Sequence, residues 1–195
     1  MGNDYDRKFS LLNFTETSPG IYEWTEIRRI WVRVEQQAKM NLFSKVGIGA
    51  RSALIKMQPR DISLHQAMSR DGAHYFLTSV VRESPVLMEA QAAVVELTDC
   101  TAQRISEHPD EYKRPVYIRE TIARFPAVLT EKYLGFTQDD PQARTTTTFV
   151  LVTPKKIILE VHDLIAALGE VYAVKLAHLL DPYRNEYEMT RMEDV

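Results

Sequence analysis

Along the first third of the chain, apolar and polar positions alternate with the period of a strand. Lys8-Phe9-Ser10-Leu11-Leu12-Asn13-Phe14 and the run from Tyr22 to Glu35 flank Thr17-Ser18-Pro19-Gly20, a cluster of turn formers, which predicts a hairpin. In its second arm Ile30, Val32 and Val34 fall on one face and Arg29, Trp31 and Arg33 on the other, because successive strand side chains point to opposite sides. A buried face and a wetter face follow. From Gln36 to Ser52 the alternation dissolves, and Gly47 and Gly49 loosen the backbone, so this stretch reads as a long loop. Strand signals return at residues 53–57, 62–64, 74–81 and 94–97, with Arg70-Asp71-Gly72 as a turn before the third. Short strands joined by turns predict a small barrel or sandwich.

Residues 99–124 differ from their flanks. They are charged, hold Pro109 and Pro115, and include Tyr117-Ile118-Arg119-Glu120-Thr121-Ile122-Ala123, which suits either one or two helical turns or an extended arm. The stretch reads as a linker. Apolar, β-branched runs resume at residues 145–152, 157–161 and 170–175.

An internal repeat arbitrates the ambiguous parts. Pro59-Arg60-Asp61-Ile62-Ser63-Leu64 resembles Pro154-Lys155-Lys156-Ile157-Ile158-Leu159 at an offset of 95. Gly72-Ala73-His74-Tyr75 resembles Gly169-Glu170-Val171-Tyr172, and Pro85 matches Pro182, both at an offset of 97. At 95, Ile30 falls on Phe125 and Val34 on Leu129. Period alone lets residues 160–180 pass as a helix, since Val161, Leu164, Ile165 and Leu168 have helical spacing. The repeat favours a hairpin turning at Gly169. The predicted fold is mainly β: two small β-barrel domains in tandem, residues 1–99 with the long loop 36–52 and residues 119–195, joined by a partly helical or extended linker, 100–118.

Composition narrows the function. A formal net charge of −3 leaves any nucleic-acid contact to a local patch. Cys100 is the single cysteine, which rules out an intrachain disulfide framework and suits a small packed residue in a reducing compartment. The first residues lack an apolar core of the export type and no run reaches the length of a membrane span, so a soluble protein is expected. His65, His74, His108, His162 and His178 show no tight metal-ligand spacing, and no phosphate-binding glycine loop or Gly-x-Ser-x-Gly elbow is present. The expectation is a non-enzymatic protein without metal or cofactor.

The order of a hairpin ending in Trp24-Thr25-Glu26-Ile27 and Trp31-Val32-Arg33-Val34, a long loop, a strand leading to Pro59-Arg60-Asp61-Ile62, and Gly72-Ala73-His74-Tyr75-Phe76-Leu77 resembles the phage head-tail joining family. These are the head-closure or stopper proteins of long-tailed bacteriophages. The resemblance covers residues 8–97 and, more weakly, 125–190 through the repeat. Its usual member is a single barrel, so a second copy is a departure.

The resemblance implies a structural virion protein of the neck, assembled in the bacterial host cytoplasm. It would form a homo-oligomeric ring between the portal or adaptor ring and the tail proteins, help retain packaged double-stranded DNA, and have no membrane partner. It also implies a loop facing the DNA channel, where Lys39, Lys45 and Arg51 would meet phosphates without reading sequence. Phe43, with Met40, Leu42, Val46 and Ile48, equally suits packing on a neighbouring subunit, and Gly47 and Gly49 give the loop its freedom. Other classes remain open: a soluble β-barrel that binds a small ligand, or another tail component such as a tail-completion protein. Trp24 and Trp31 read as core or interface residues, and Tyr75 and Tyr172 as core residues of the two halves.

Overall fold

The computed structural model describes residues 5–40, 50–109, 111–132 and 147–192, the side chains of 36–40 aside. Their regular structure is all strand: β1 (Arg7–Ser18), β2 (Ile21–Met40), β3 (Ala50–Met57), β4 (Gln66–Arg70), β5 (Ala73–Arg82), β6 (Met88–Val95), β7 (Thr98–Pro109), β8 (Pro115–Glu131), β9 (Thr148–Pro154), β10 (Leu164–Ala167), β11 (Glu170–His178) and β12 (Arg184–Arg191). The chain divides into two compact units, Met1–Thr15 with Glu23–Leu97, and Glu16–Tyr22 with Thr98–Val195.

In the first unit the hydrogen-bonded order is β1-β4-β5-β6-β3-β2, and β1 also pairs with β2, so six strands close on themselves. Closure removes the unpaired edges that an open sheet would leave. The alternation read from the sequence sends one face inward: Ile30 and Val32 from β2, Ile55 and Met57 from β3, and Phe9 and Leu11 from β1 are all at most 1% exposed. The outward face of β2 carries Arg29, Trp31 and Arg33, as expected.

In the second unit the order is β7-β10-β11-β12-β9-β8, with β8 also paired to β7. Adding six to each label of the first unit reproduces this order. The likeness extends to details at one offset, 97, the spacing from Gly72 to Gly169. The β4–β5 turn holds Asp71 and Gly72 at φ 50° and 79°, and the β10–β11 turn holds Leu168 and Gly169 at φ 53° and 80°. A bulge lies between Leu77 and Ser79 on β5 and between Val174 and Leu176 on β11. Ahead of β4 the Gln66 side chain accepts from Ser63 N at 3.0 Å, and ahead of β10 Asp163 accepts from Glu160 N at 2.7 Å. Ser84 Oγ accepts from Val86 N and Leu87 N, and Asp181 Oδ1 from Tyr183 N and Arg184 N. Tyr75 and Tyr172 each hold a phenylalanine ring at 4.9 Å, Phe9 on β1 in one case and Phe149 on β9 in the other. Pro59 and Pro154 do not correspond: Met57 faces Met88 and Thr153 faces Asn185, which aligns Pro154 with Gln58.

Several expectations need correction. The loop is shorter than 36–52, because Gln36 and Gln37 pair with Ala53 and Ser52, and Met40 with Ala50. Residues 98–109 and 115–131 are β7 and β8, a full hairpin of the second unit, so the stretch 100–118 is extended with no helical turn among its described residues. Its charge and prolines reflect an exposed ribbon. Residues 62–64 and 157–161 are not strands. Ile157 and Leu159 are buried, yet Ile157 O and Leu159 N bond to a side chain instead of a ladder: Tyr187 Oη donates to Ile157 O at 2.9 Å and accepts from Leu159 N at 3.1 Å. Apolar content signalled burial there, which strand propensity cannot separate from pairing. The strand expected at 94–97 is the end of β6, in which Ala90, Ala92 and Ala93 precede the valines and weaken the strand signal. The turn at Gly169 stands, with β10 and β11 paired from Leu164–Ala173 to Ala167–Glu170.

Candidate functional site

The residues expected to face DNA are not gathered into one described cluster. Arg51 lies exposed on β3 opposite Val94. Lys39 is on the β2 backbone with its side chain outside the described set, and Phe43, Lys45, Gly47 and Gly49 lie outside the described residues. Lys56, also on β3, is ion-paired with Glu35 at 3.1 Å and Glu89 at 3.5 Å, and its pKa is raised, chiefly by the Glu35 hydrogen bond.

A different basic feature emerges on the outward face of the first unit. Pairing of β2 with β3 begins at Val32–Met57, so β2 before that point has no β3 partner. Where the strands part, Tyr5, Arg29, Ile30, Trp31, Gln58 and Arg60 line a groove of about 360 Å³. Trp31 is 56% exposed, whereas Trp24 packs on Phe14, His74 and Phe76 with ring centroids at 5.0, 5.0 and 6.0 Å. Thus one tryptophan is a packing residue and the other is left on the surface.

The cations that line the groove, Arg29 and Arg60, and Arg28 near Arg60, differ in what holds them. Arg29 Nε meets Glu26 at 3.0 Å, and Glu26 also accepts from Ser10 at 2.6 Å, which with Arg29 draws its pKa down. Arg28 donates to Asp61 O at 3.0 Å and Arg60 to Gln58 O at 3.1 Å. Among the described residues neither guanidinium pairs with a carboxylate. Burial first, and the charge of Arg28 second, lower the pKa of Arg60, though an arginine stays charged after any such shift. Sequence reasoning sought basic residues only after Glu35 and so missed this cluster. The signal was present in the alternation Arg29-Trp31-Arg33, but the approach of Arg60 to Arg28 exists only once β3 turns away from β2.

Behind the surface, His74 is 5% exposed and its pKa falls to about 4 through loss of solvation. In the second unit Cys100 is buried with its pKa pushed up to about 12 by burial, which makes it an inert packed thiol, as expected. Asp163, 2% exposed, receives two 2.8 Å bonds from Arg104, whose pKa is raised chiefly by that contact, and Arg104 also meets Glu160 at 3.0 Å. This ion pair is not adjacent in sequence and had no sequence signal. The β7–β8 ribbon carries exposed apolar groups: Ile105 at 47%, Tyr112 at 76%, Tyr117 at 67% and Ile118 at 45%.

No family model, curated protein or solved structure matches this chain. Function therefore rests on the fold and the site chemistry of the chain itself. No cluster of three or more His, Cys, Asp or Glu side chains able to hold a metal occurs among the described residues. Trp, Tyr and Arg together are the residue types that dominate protein interfaces, and an arginine fork matches a carboxylate or phosphate oxyanion. The groove is thus equipped for recognition of an acidic or aromatic partner.

Proposed function

We propose that this chain is a structural connector of a phage neck, built from two copies of one six-strand barrel in tandem, that packs into a ring between portal or adaptor and tail and helps retain packaged DNA. The observation that carries the reading is the repeated plan: the same strand order, the same bulge, the same two side-chain caps and the same glycine turn, nearly all at one offset. That plan supports a duplicated form of the small barrel which the sequence resembles. Closed walls satisfy the backbone, so loops, hairpins and outward side chains are free to meet neighbours. Lys39, Lys45 and Arg51 remain the residues proposed for non-specific contact with DNA in the channel, and the protein is proposed to act by geometry, without catalysis.

The test is the purified chain mixed with DNA-filled tailless heads that carry portal and adaptor. It is expected to bind as a ring visible in negative stain and to raise the amount of nuclease-protected DNA. A protein that neither binds heads nor protects DNA overturns the reading. A second reading, a small-ligand binding module, is favoured by the volume of the Trp31 groove, which lies within the range of ligand sites. In that case the chain would ignore the heads.

A further inference from the structure

The repeat leaves one contact made and its counterpart unmade. Within the second unit, the turn Glu16–Tyr22 sits on β8: Gly20 O accepts from Arg124 N at 2.7 Å, and Ile21 lies opposite Arg124 in a parallel bridge. The fit is close, since a Cβ on Gly20 would stand 3.2 Å from Ile122 O. β8 can accept the turn there because its pairing with β9 starts only at Val128, leaving the earlier edge open. The counterpart of that edge in the first unit, at the offset of 95 that aligns Ile30 with Phe125, is Ile27-Arg28-Arg29 on β2. This edge too is open, because β2 pairs with β3 only from Val32. It is also the rim of the Trp31 groove, and Ile27 is 47% exposed.

The counterpart of the Gly20 turn is the tip of the β7–β8 ribbon. Both turns carry a left-handed residue, Gly20 at φ 71° and Lys113 at φ 60°. Residues 115–121 of β8 are exposed at every position, and Tyr112 and Tyr117 stand out to solvent. A two-stranded ribbon is marginal by itself, and an exposed apolar group of this kind marks an interaction site.

Resting on the duplicated-barrel reading, we infer that the β7–β8 tip of one chain seats on the Ile27-Arg28-Arg29 edge and Trp31 groove of a second copy. The occupant is fixed by the repeat itself, which already contains one such turn on one such edge. Charge agrees: the ribbon would bring Glu107 and Glu111 toward Arg28 and Arg60, whose guanidiniums pair with no carboxylate among the described residues, while Lys113 and Arg114 at the tip keep the fit from being purely acidic. Such a contact joins unlike surfaces, head to tail, and propagates to a ring when the rotation closes or to a filament when it does not.

The test uses two single-cysteine additions to the full chain, Arg29→Cys and Arg114→Cys, the counterparts of the bridged Arg124 and Ile21, with Val86→Cys, which is 74% exposed, as an off-site control. Bridged strand residues lie within disulfide reach, about 5 Å between Cα atoms. Under mild oxidation at high protein concentration, the mixture of Arg29→Cys and Arg114→Cys chains is expected to give the cross-linked heterodimer. Either variant mixed with Val86→Cys should give none, and Tyr117→Glu in the Arg114→Cys chain should reduce the yield about tenfold. Cross-links within one variant, equal yields with Val86→Cys, or no cross-link in chains of native circular dichroism overturn the inference. Head binding without the cross-link removes the head-to-tail contact but not the connector reading. The cross-link without head binding supports the contact and removes the neck.

Discussion

At one pair of equivalent positions the two units solve the same local problem with different chemistry. Asn13 faces Gln66 across β1 and β4, and Gln66 Nε2 donates to Asn13 Oδ1 at 3.1 Å while its Oε1 caps Ser63. In the second unit the corresponding residues are Arg104 and Asp163, bound by two 2.8 Å contacts while Asp163 caps Glu160. The role is the same: fix the connection that precedes β4 or β10. A neutral pair can lose one partner and leave only an unmade hydrogen bond, whereas an ionic pair whose acid is 2% exposed leaves a buried charge. The units therefore share a plan but should differ in how they fail.

The largest effect expected from this difference is at Arg104. Arg104→Met strands the Asp163 carboxylate and should cost about 4 kcal/mol, whereas Asn13→Ala should cost about 1 kcal/mol. Urea unfolding followed by far-ultraviolet circular dichroism measures both, and equal costs would erase the contrast.

Next comes the acid sensitivity of a buried imidazole, which the first unit has at a place where the second has an apolar residue. His74 has a pKa of about 4 in the fold against 6.5 when free, and Val171 occupies the equivalent place in the second unit. Between those values the unfolded chain binds a proton that the folded one refuses, so stability falls as pH drops from 6.5 to 4 and this loss is absent above 6.5. The full loss amounts to about 3 kcal/mol. Trp24 and Trp31, the chain's two tryptophans, both lie in the first unit, so their fluorescence reports it. His74→Val should flatten the pH dependence of that signal's unfolding midpoint.

The smallest effect is in the paired turns. Leu168, 73% exposed, adopts φ 53° where Asp71 adopts 50°. Aspartate tolerates that region and leucine does not. Leu168→Asp should stabilise by about 1 kcal/mol and Asp71→Leu should destabilise by a similar amount, both read from thermal midpoints.

What the sequence made legible follows from what each signal measures. Alternation located β1, β2 and β5, and a glycine shared at one offset located the β10–β11 turn against a helical spacing. The outer part of the β7–β8 ribbon was hidden because residues 115–121, exposed at every position, have no buried period to display. Residues 157–161 misled for the opposite reason, since Ile157 and Leu159 bury their side chains without joining a ladder. At the candidate site, the outward face of β2 was legible from Arg29, Trp31 and Arg33. The meeting of Arg28 with Arg60 was not, because it depends on where two strands separate.

The bulge shared by β5 and β11 carries a historical consequence. An extra residue shifts the inside-outside alternation of everything beyond it by one position. Thr78 and Lys175, the residues skipped in the two registers, absorb that shift, so the side chains beyond them keep the facing that the partner strand sets. Such a feature is hard to gain twice at one place and hard to lose once its neighbours have adapted. Under the proposed duplication, the bulge and the side chains that follow it would belong to the single barrel that came before, and the exchange between Asn13–Gln66 and Arg104–Asp163 would be later divergence between sister copies.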